Sequence, residues 1–166
     1  NENFVSILTV IVLSVAIFVF FMKKSYYFAY FIHSLILKLP LFGSITQKSE
    51  LARFSYIASL LVRSGVPFVQ TISLSANILN NLVLRELFVD SSKKVVEGKL
   101  LSNALNSSKT KIDYAFIQSV ALGEETSQLE NVLTNTSELY FEENRDKISM
   151  LLTLLEPALM LFVGAS

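Results

Sequence analysis

The sequence predicts an all-α fold: a membrane-anchored antiparallel bundle of about six helices with flanking transmembrane helices. An uncharged run over residues 4–22 and an apolar stretch from residue 148 onward bracket a central region whose apolar residues recur at helical spacing, without a convincing strand pattern. Hydrophobic residues make up 52% of the chain and charged residues 17%. This balance is too apolar for an ordinary soluble domain and too charged for a fully embedded one, so membrane and aqueous segments are both expected.

The first apolar run predicts a transmembrane helix within residues 1–24. As a helix, residues 4–22 would extend about 28 Å, close to the roughly 30 Å hydrocarbon core of a bilayer. Lys23 and Lys24 follow the run and only Glu2 precedes it. A signal peptide would have a shorter apolar part with its charges in front. The positive-inside rule therefore predicts a cytoplasmic location for the following residues.

Residues 25–45 are predicted to form a juxtamembrane helix and a joint. The helix is rich in aromatic residues, which favour the headgroup level of a membrane. A helix that continues out of the bilayer and packs on the domain below is favoured there over a lipid-recognition site. His33 is the only histidine in the chain, so neither a metal site nor a catalytic partner is expected around it. Pro40 and Gly43 mark the predicted joint.

Residues 46–147 are predicted to form the cytoplasmic bundle, organised around a helical hairpin over residues 51–74. Leu51, Phe54 and Ala58 share one face of its first helix, and Arg53 lies off that face. Gly65 is predicted to stop this helix, and Pro67 to occupy the first position of the next.

Further along the bundle, Asn80 and Asn81 predict a break between helices, and Gly98 and Gly123 predict two helix ends. The segment from Ser127 to Glu130 matches the capping box S-x-x-E and is predicted to open a long helix. Glu124 has two interpretations: it caps neighbouring backbone N–H groups, or it is exposed for a partner.

Charge is unevenly distributed along the bundle. Between Lys48 and Lys111 there are nine basic and four acidic residues, whereas between Glu124 and Asp146 seven acidic residues accompany Arg145 alone. A solvated helix face is the simplest interpretation of the acidic segment. A docking surface is the functional alternative, because charge complementarity steers partners. The candidate docking residues are Glu138, Glu142 and Glu143.

The last apolar segment, residues 148–166, is predicted to be the start of a truncated transmembrane helix. Glu156 and Pro157 lie inside it. An ionisable group deep in a bilayer costs on the order of 2.5–3.5 kcal/mol. Glu156 is therefore expected to face other helices, to lie near the interface or to be protonated, with a coupling and a purely structural role both open. Pro157 is expected to kink the helix. Because the chain begins without methionine and stops within an apolar segment, we expect it to be part of a longer protein.

Several function classes are disfavoured by composition. The chain has no cysteine and a net charge of zero, which argues against thiol chemistry, zinc–thiolate sites and nucleic acid as the main partner. Neither a phosphate-binding G-x-x-x-x-G-K-[ST] loop nor a dinucleotide fingerprint is present. No cofactor, metal site or catalytic residue is therefore predicted.

Sequence motifs spread over about 120 residues resemble the type II secretion protein F family, the inner-membrane platform proteins of type II secretion and type IV pilus machines. Their order and spacing carry the likeness more than any single piece does. The matching pieces are Leu39-Pro40-Leu41-Phe42-Gly43, Ala52-Arg53-Phe54, Leu60-Leu61-Val62-Arg63-Ser64-Gly65-Val66-Pro67, Val96-Glu97-Gly98, Gly123-Glu124-Glu125-Thr126, Leu129, Val132-Leu133 and Leu154-Leu155-Glu156-Pro157. Many members of the family carry glycine at the position of Ser127.

The resemblance implies the C-terminal half of a multi-pass inner-membrane protein, with residues 46–147 as the second of two cytoplasmic domains. It implies a non-enzymatic platform that couples a secretion or pilus assembly ATPase to pilin or pseudopilin polymerisation. Other inner-membrane assembly proteins, the lipid bilayer and further copies of the chain are the remaining implied partners.

Two alternatives are open. A membrane-anchored signalling or transport-associated helical bundle would require a sensor domain or more membrane spans. A prepilin peptidase would need membrane aspartates, and neither apolar segment contains one.

Overall fold

The computed structural model describes residues 9–10, 13–14 and 24–164. From residue 26 onward, all regular secondary structure in the described part of the chain is helical, which confirms the all-α part of the predicted class. The helices are α1 (Tyr26–Lys38), α2 (Phe42–Arg63), α3 (Phe68–Ala76), α4 (Leu82–Val96), α5 (Leu101–Asn106), α6 (Tyr114–Thr126) and α7 (Leu129–Gly164). Six of them cover the predicted bundle, and the most extensive packing joins α2 to α7.

The core is built around three phenylalanines from three helices. Phe54 of α2 stacks on Phe88 of α4 with ring centroids 4.0 Å apart. Phe116 of α6 meets both rings edge-on, at 6.3 Å and 6.0 Å. All three side chains are fully buried. Such aromatic pairs add about 0.5–1.5 kcal/mol each beyond the burial of their area, so this cluster fixes how α2, α4 and α6 pack.

The predicted ends of α2 and α4 carry glycines in the left-handed region. Gly65 has φ +80° and Gly98 has φ +90°. The residue after each glycine donates its backbone N–H to the carbonyl five residues earlier. Val66 N donates to Leu61 O, and Lys99 N donates to Lys94 O, both at 3.0 Å. These are Schellman closures, which favour glycine because it has no Cβ. Pro67 lies one residue earlier than predicted, as the N-cap of α3.

The predicted stop at Gly123 is wrong. Helix α6 continues through Gly123 to Thr126, and Ser127 ends it in a left-handed conformation with φ +56°. Gly123 is buried, and a Cβ added there would lie 3.0 Å from Leu129 Cδ2 and 3.3 Å from Val132 Cβ. The glycine therefore permits the close approach of α6 and α7, a requirement that sequence alone does not distinguish from a helix stop.

The predicted capping box is also wrong. An N-cap residue needs an extended backbone, whereas Ser127 is left-handed and serves as the C-cap of α6. The Glu130 carboxylate accepts from Arg63 Nε at 2.7 Å, so it binds a residue of α2 and does not cap α7. The glycine expected at this position from the family resemblance is therefore the residue that the backbone favours.

Helix α7 runs without a break across the predicted domain boundary between residues 147 and 148, and Pro157 lies inside it. Within the described ranges, no single helix is both long and apolar enough to cross a membrane. Helices α1 and α2 meet that criterion only as a pair, with a bend of 108° between them. Most of the predicted transmembrane run over residues 4–22 lies outside the described residues, as does the side chain of Glu156.

Candidate docking surface and the contacts that position it

A polar seam between α2 and α7 sets the orientation of the long helix. Lys147 Nζ donates to Ser44 Oγ at 2.9 Å, and Asn144 Nδ2 donates to the Ile45 carbonyl at 3.0 Å. One turn before Lys147 on α7, Glu143 forms an ion pair with Lys48. Because these contacts recur on one side of α7, the other side of this stretch is turned away from the domain.

Lys48 is the centre of the seam, and sequence reasoning missed it. Its side chain is only 18% exposed, and its ammonium also lies 3.7 Å from Asp113 and 5.1 Å above the centre of the Tyr140 ring. Burial raises the pKa of the Tyr140 hydroxyl well above its usual value, and Asp113 raises it further. Glu143, a candidate docking residue, is thus paired with a residue of its own domain, and its side chain is 37% exposed. Lys48 and Glu143 are 95 positions apart in the sequence. A pattern of neighbouring residues therefore could not predict this ion pair.

Glu138 and Glu142 lie on the outward side of α7 and are exposed. Together with Phe141 and Ile148 they line an open groove of about 630 Å³. The Phe141 side chain is 48% exposed and that of Ile148 is 46% exposed. Arg145 is the basic residue in this lining. The surface therefore offers carboxylates beside exposed apolar side chains, a combination suited to a partner that is basic and partly apolar.

Glu124 points into the domain and caps a neighbouring helix. Its Oε1 accepts from Leu101 N at 2.6 Å, and its Oε2 accepts from Ser102 N at 3.2 Å and Ser102 Oγ at 2.6 Å. Leu100, the N-cap residue of α5, makes no side-chain capping bond of its own. The carboxylate of α6 therefore takes the place of a local cap, and it also counters the positive end of the helix dipole. This geometry matches the capping interpretation of Glu124.

Arg53 belongs to a second internal contact. Its guanidinium lies 3.2 Å from Glu50 Oε1, and Glu50 Oε2 accepts from Asn80 N at 2.8 Å. Glu50 is buried, and it joins α2 to the turn between α3 and α4. The three-residue spacing of Glu50 and Arg53 is visible in the sequence, but the bond to Asn80 is not.

Pro40 and Gly43 lie at the sharp turn between α1 and α2. Pro40 is exposed in the connection, and Gly43 is buried in the first turn of α2. A Cβ on Gly43 would lie 2.4 Å from the Leu37 carbonyl oxygen and 2.8 Å from its carbon. The bend therefore requires glycine for close approach of the two helices.

His33 connects α1 to the start of α4. Its Nδ1 accepts from Leu82 N at 3.0 Å, and its carbonyl accepts from Asn81 Nδ2 at 3.4 Å. Burial lowers the pKa of His33, which the nearby Glu50 raises and Arg85 lowers. In the described part of the chain, no group of three His, Asp or Glu side chains is placed to hold a metal ion.

The chain is similar to one protein family and to several of its named members. The family described as "Type II secretion system (T2SS), protein F" matches residues 54–166. A type II secretion system protein F of Pseudomonas aeruginosa is 29% identical over 133 residues, which are 80% of this chain and 33% of that protein. The type IV pilus assembly protein PilC of Thermus thermophilus is 30% identical over 133 residues, again 80% and 33%. PilC of P. aeruginosa is 31% identical over 142 residues, 86% of this chain and 38% of that protein. The chain thus spans about a third of the length of these relatives.

Proposed function

The chain belongs to the type II secretion system protein F family, and on that basis we propose that it is part of a non-enzymatic platform protein of the bacterial inner membrane. The platform couples a cytoplasmic assembly ATPase to the polymerisation of pilin or pseudopilin subunits. The observation that carries this proposal is the family match over residues 54–166, supported by relatives named for type II secretion and type IV pilus assembly.

In this proposal residues 46–147 are the cytoplasmic domain of a multi-pass protein. The apolar run before α1 and the apolar end of α7 are its membrane segments, and they contact pilin or pseudopilin subunits and other inner-membrane assembly proteins. Glu156 and Pro157 lie in the second segment. The proposal includes further copies of the chain, since a symmetric oligomer can offer equivalent contacts to a multi-subunit ATPase.

We place the ATPase contact on the outward side of α7. Glu138 and Glu142 supply negative charge there, and Phe141 supplies exposed apolar area in the same groove. Since α7 continues without a break from this groove to Gly164, a load applied at the groove would pass along one helix toward the predicted membrane segment. A continuous helix transmits such a load better than a jointed one.

The test is co-purification of the full-length protein from gently solubilised membranes, comparing the wild type with Glu138→Lys/Glu142→Lys. Glu143 is left unchanged, because reversing its charge would place it against Lys48 and disturb the fold. The matched control is Glu97→Lys/Glu125→Lys, which reverses two exposed acidic residues on other parts of the surface.

We expect the wild type and the control to retain a secretion-type ATPase, and the α7 variant to lose it at equal protein level. Equal retention by both variants would overturn the docking surface on α7. Absence of any such ATPase from the wild-type sample, even after crosslinking, would overturn the platform function itself.

A further inference from the structure

Helix α1 presents an exposed aromatic face. Tyr27, Phe31 and Leu35 recur every four residues and are 87%, 62% and 47% exposed. Ala29 is buried on the opposite side of α1, where His33 also bonds to the start of α4. The helix is therefore fixed to the domain by one side and leaves a row of large apolar side chains in contact with solvent on the other.

A lysine-lined cavity lies at the C-terminal end of the same helix. Lys38 falls on the face of Tyr27 and Phe31 by helical periodicity. With Lys109 and Lys111 it lines a cavity of about 390 Å³, whose described lining contains no acidic residue. Within residues 24–164, none of these three ammonium groups belongs to an ion pair. Three like charges around one cavity suit an anion.

The loop that carries two of these lysines is held in place by α2. Gln47 Nε2 donates to the Lys111 carbonyl, and Gln47 Oε1 accepts from Asp113 N, both at 2.9 Å. The Asp113 carboxylate is turned toward Lys48, at 3.7 Å. The cavity is therefore preorganised, and the nearest acid of the loop is paired elsewhere. Glu86 and Asp90 line the adjacent groove, which shares Lys109.

We propose that this cavity binds the phosphate headgroup of an anionic phospholipid while the aromatic face of α1 lies in the membrane interface. Aromatic side chains favour that depth, and lysines near an anionic membrane surface attract its lipids. Ser34 and Thr110 in the cavity lining add hydroxyl donors for phosphate oxygens. The uncharged run over residues 4–22 ends four residues before α1, so a bilayer that contains this run lies close to the aromatic face.

An acidic peptide could neutralise the charge of the three lysines, but it would leave the side chains of Tyr27 and Phe31 exposed to water. A phospholipid accounts for both features, since its headgroup is anionic and the layer beneath it is apolar. The inference rests on the membrane placement in the proposed function but not on the ATPase contact, so the lipid site and the ATPase contact can fail separately.

The test uses the full-length protein in nanodiscs of phosphatidylcholine alone or of an equal mixture with phosphatidylglycerol. Amine acylation measured by mass spectrometry gives the reactivity of each lysine. We expect phosphatidylglycerol to slow acylation several-fold at Lys38, Lys109 and Lys111 and to leave Lys99, exposed after α4, unchanged. Inorganic phosphate added to phosphatidylcholine discs should give no such protection.

Variants provide a second measurement. Lys109→Gln/Lys111→Gln should lower the preference for spin-labelled phosphatidylglycerol over phosphatidylcholine by about 30-fold, since each lysine is worth about fivefold at an anionic surface. Arg63→Gln/Lys99→Gln, which removes the same charge from residues that do not line this cavity, should retain that preference. Unchanged thermal unfolding of both variants would exclude misfolding.

Three outcomes would overturn the proposal. They are equal protection in both kinds of nanodisc, equal protection at Lys99, and protection reproduced by phosphate alone. Protection that instead requires a co-purified acidic protein would assign the cavity to that protein and not to lipid.

Discussion

Removing the Glu124 carboxylate should destabilise the bundle through helix α5. Glu124→Ala deletes the acceptor of three hydrogen bonds, two from the backbone at the start of α5 and one from a serine hydroxyl. Helix α5 has six residues, too few to be stable alone in water. At about 1 kcal/mol net for each bond of this half-buried group, the loss should be about 2–3 kcal/mol. For a domain of about 100 residues, this corresponds to a fall in Tm of about 10–20 °C.

Glu124→Gln discriminates between loss of charge and loss of geometry. The two carboxylate oxygens each accept from a backbone N–H, whereas an amide has only one acceptor oxygen and would turn its NH2 toward the second donor. Gln therefore does not preserve the hydrogen bonds, and we expect about half of the destabilisation seen with Ala.

The assay is thermal unfolding of the detergent-solubilised protein followed by circular dichroism, together with hydrogen exchange at residues 101–106. Glu125→Ala is the control, because Glu125 is the exposed neighbour of Glu124. An unfolding temperature for Glu124→Ala equal to that of the control, with normal protection of α5, would refute the capping argument.

Three further predictions concern the connections between helices. Gly43→Ala should cost about 3 kcal/mol and abolish hydrogen-exchange protection of α1, because the added Cβ would meet the Leu37 backbone, which cannot rotate away. Ser127→Gly should raise the free energy of unfolding by about 1 kcal/mol in denaturant titration, since a left-handed serine is strained; no gain would contradict its positive φ. His33 accepts through Nδ1 and has a lowered pKa in the folded state, so stability should be constant above about pH 6.5 and fall as the pH drops below that value. His33→Asn keeps an acceptor without the titration and should remove this dependence between pH 7 and 5.5; an unchanged dependence would refute the assignment.

Much of the bundle was predictable because helix signals are local. Apolar spacing placed Leu51, Phe54 and Ala58 on one helix face, and the structure buries all three. Gly65 and Asn81 stand where helices end and begin because a left-handed residue or a side-chain acceptor is needed within one turn of the chain. Gly123 and Ser127 show the limit of such signals. Gly123 allows a close helix contact where a helix stop was predicted, and Ser127 ends a helix where the start of one was predicted.

The candidate docking surface was likewise predictable only in part. The acidic character of residues 124–146 is a property of the sequence, but which carboxylates remain free depends on what each faces. Glu143 forms an ion pair with Lys48, and Glu124 accepts hydrogen bonds from the start of α5. Glu138 and Glu142 are exposed to solvent. The separation of these four groups required the packing of α7 on α2 and of α6 on α5.

The helical class, most helix boundaries and the family follow from the sequence alone, because periodicity, turn residues and motif order are local properties of the chain. The packing of the helices sets which charges are paired, why Gly43 and Gly123 must lack a side chain, and that Lys38, Lys109 and Lys111 line one cavity. Those facts depend on distances between residues far apart in sequence, and such distances are set by how the helices pack.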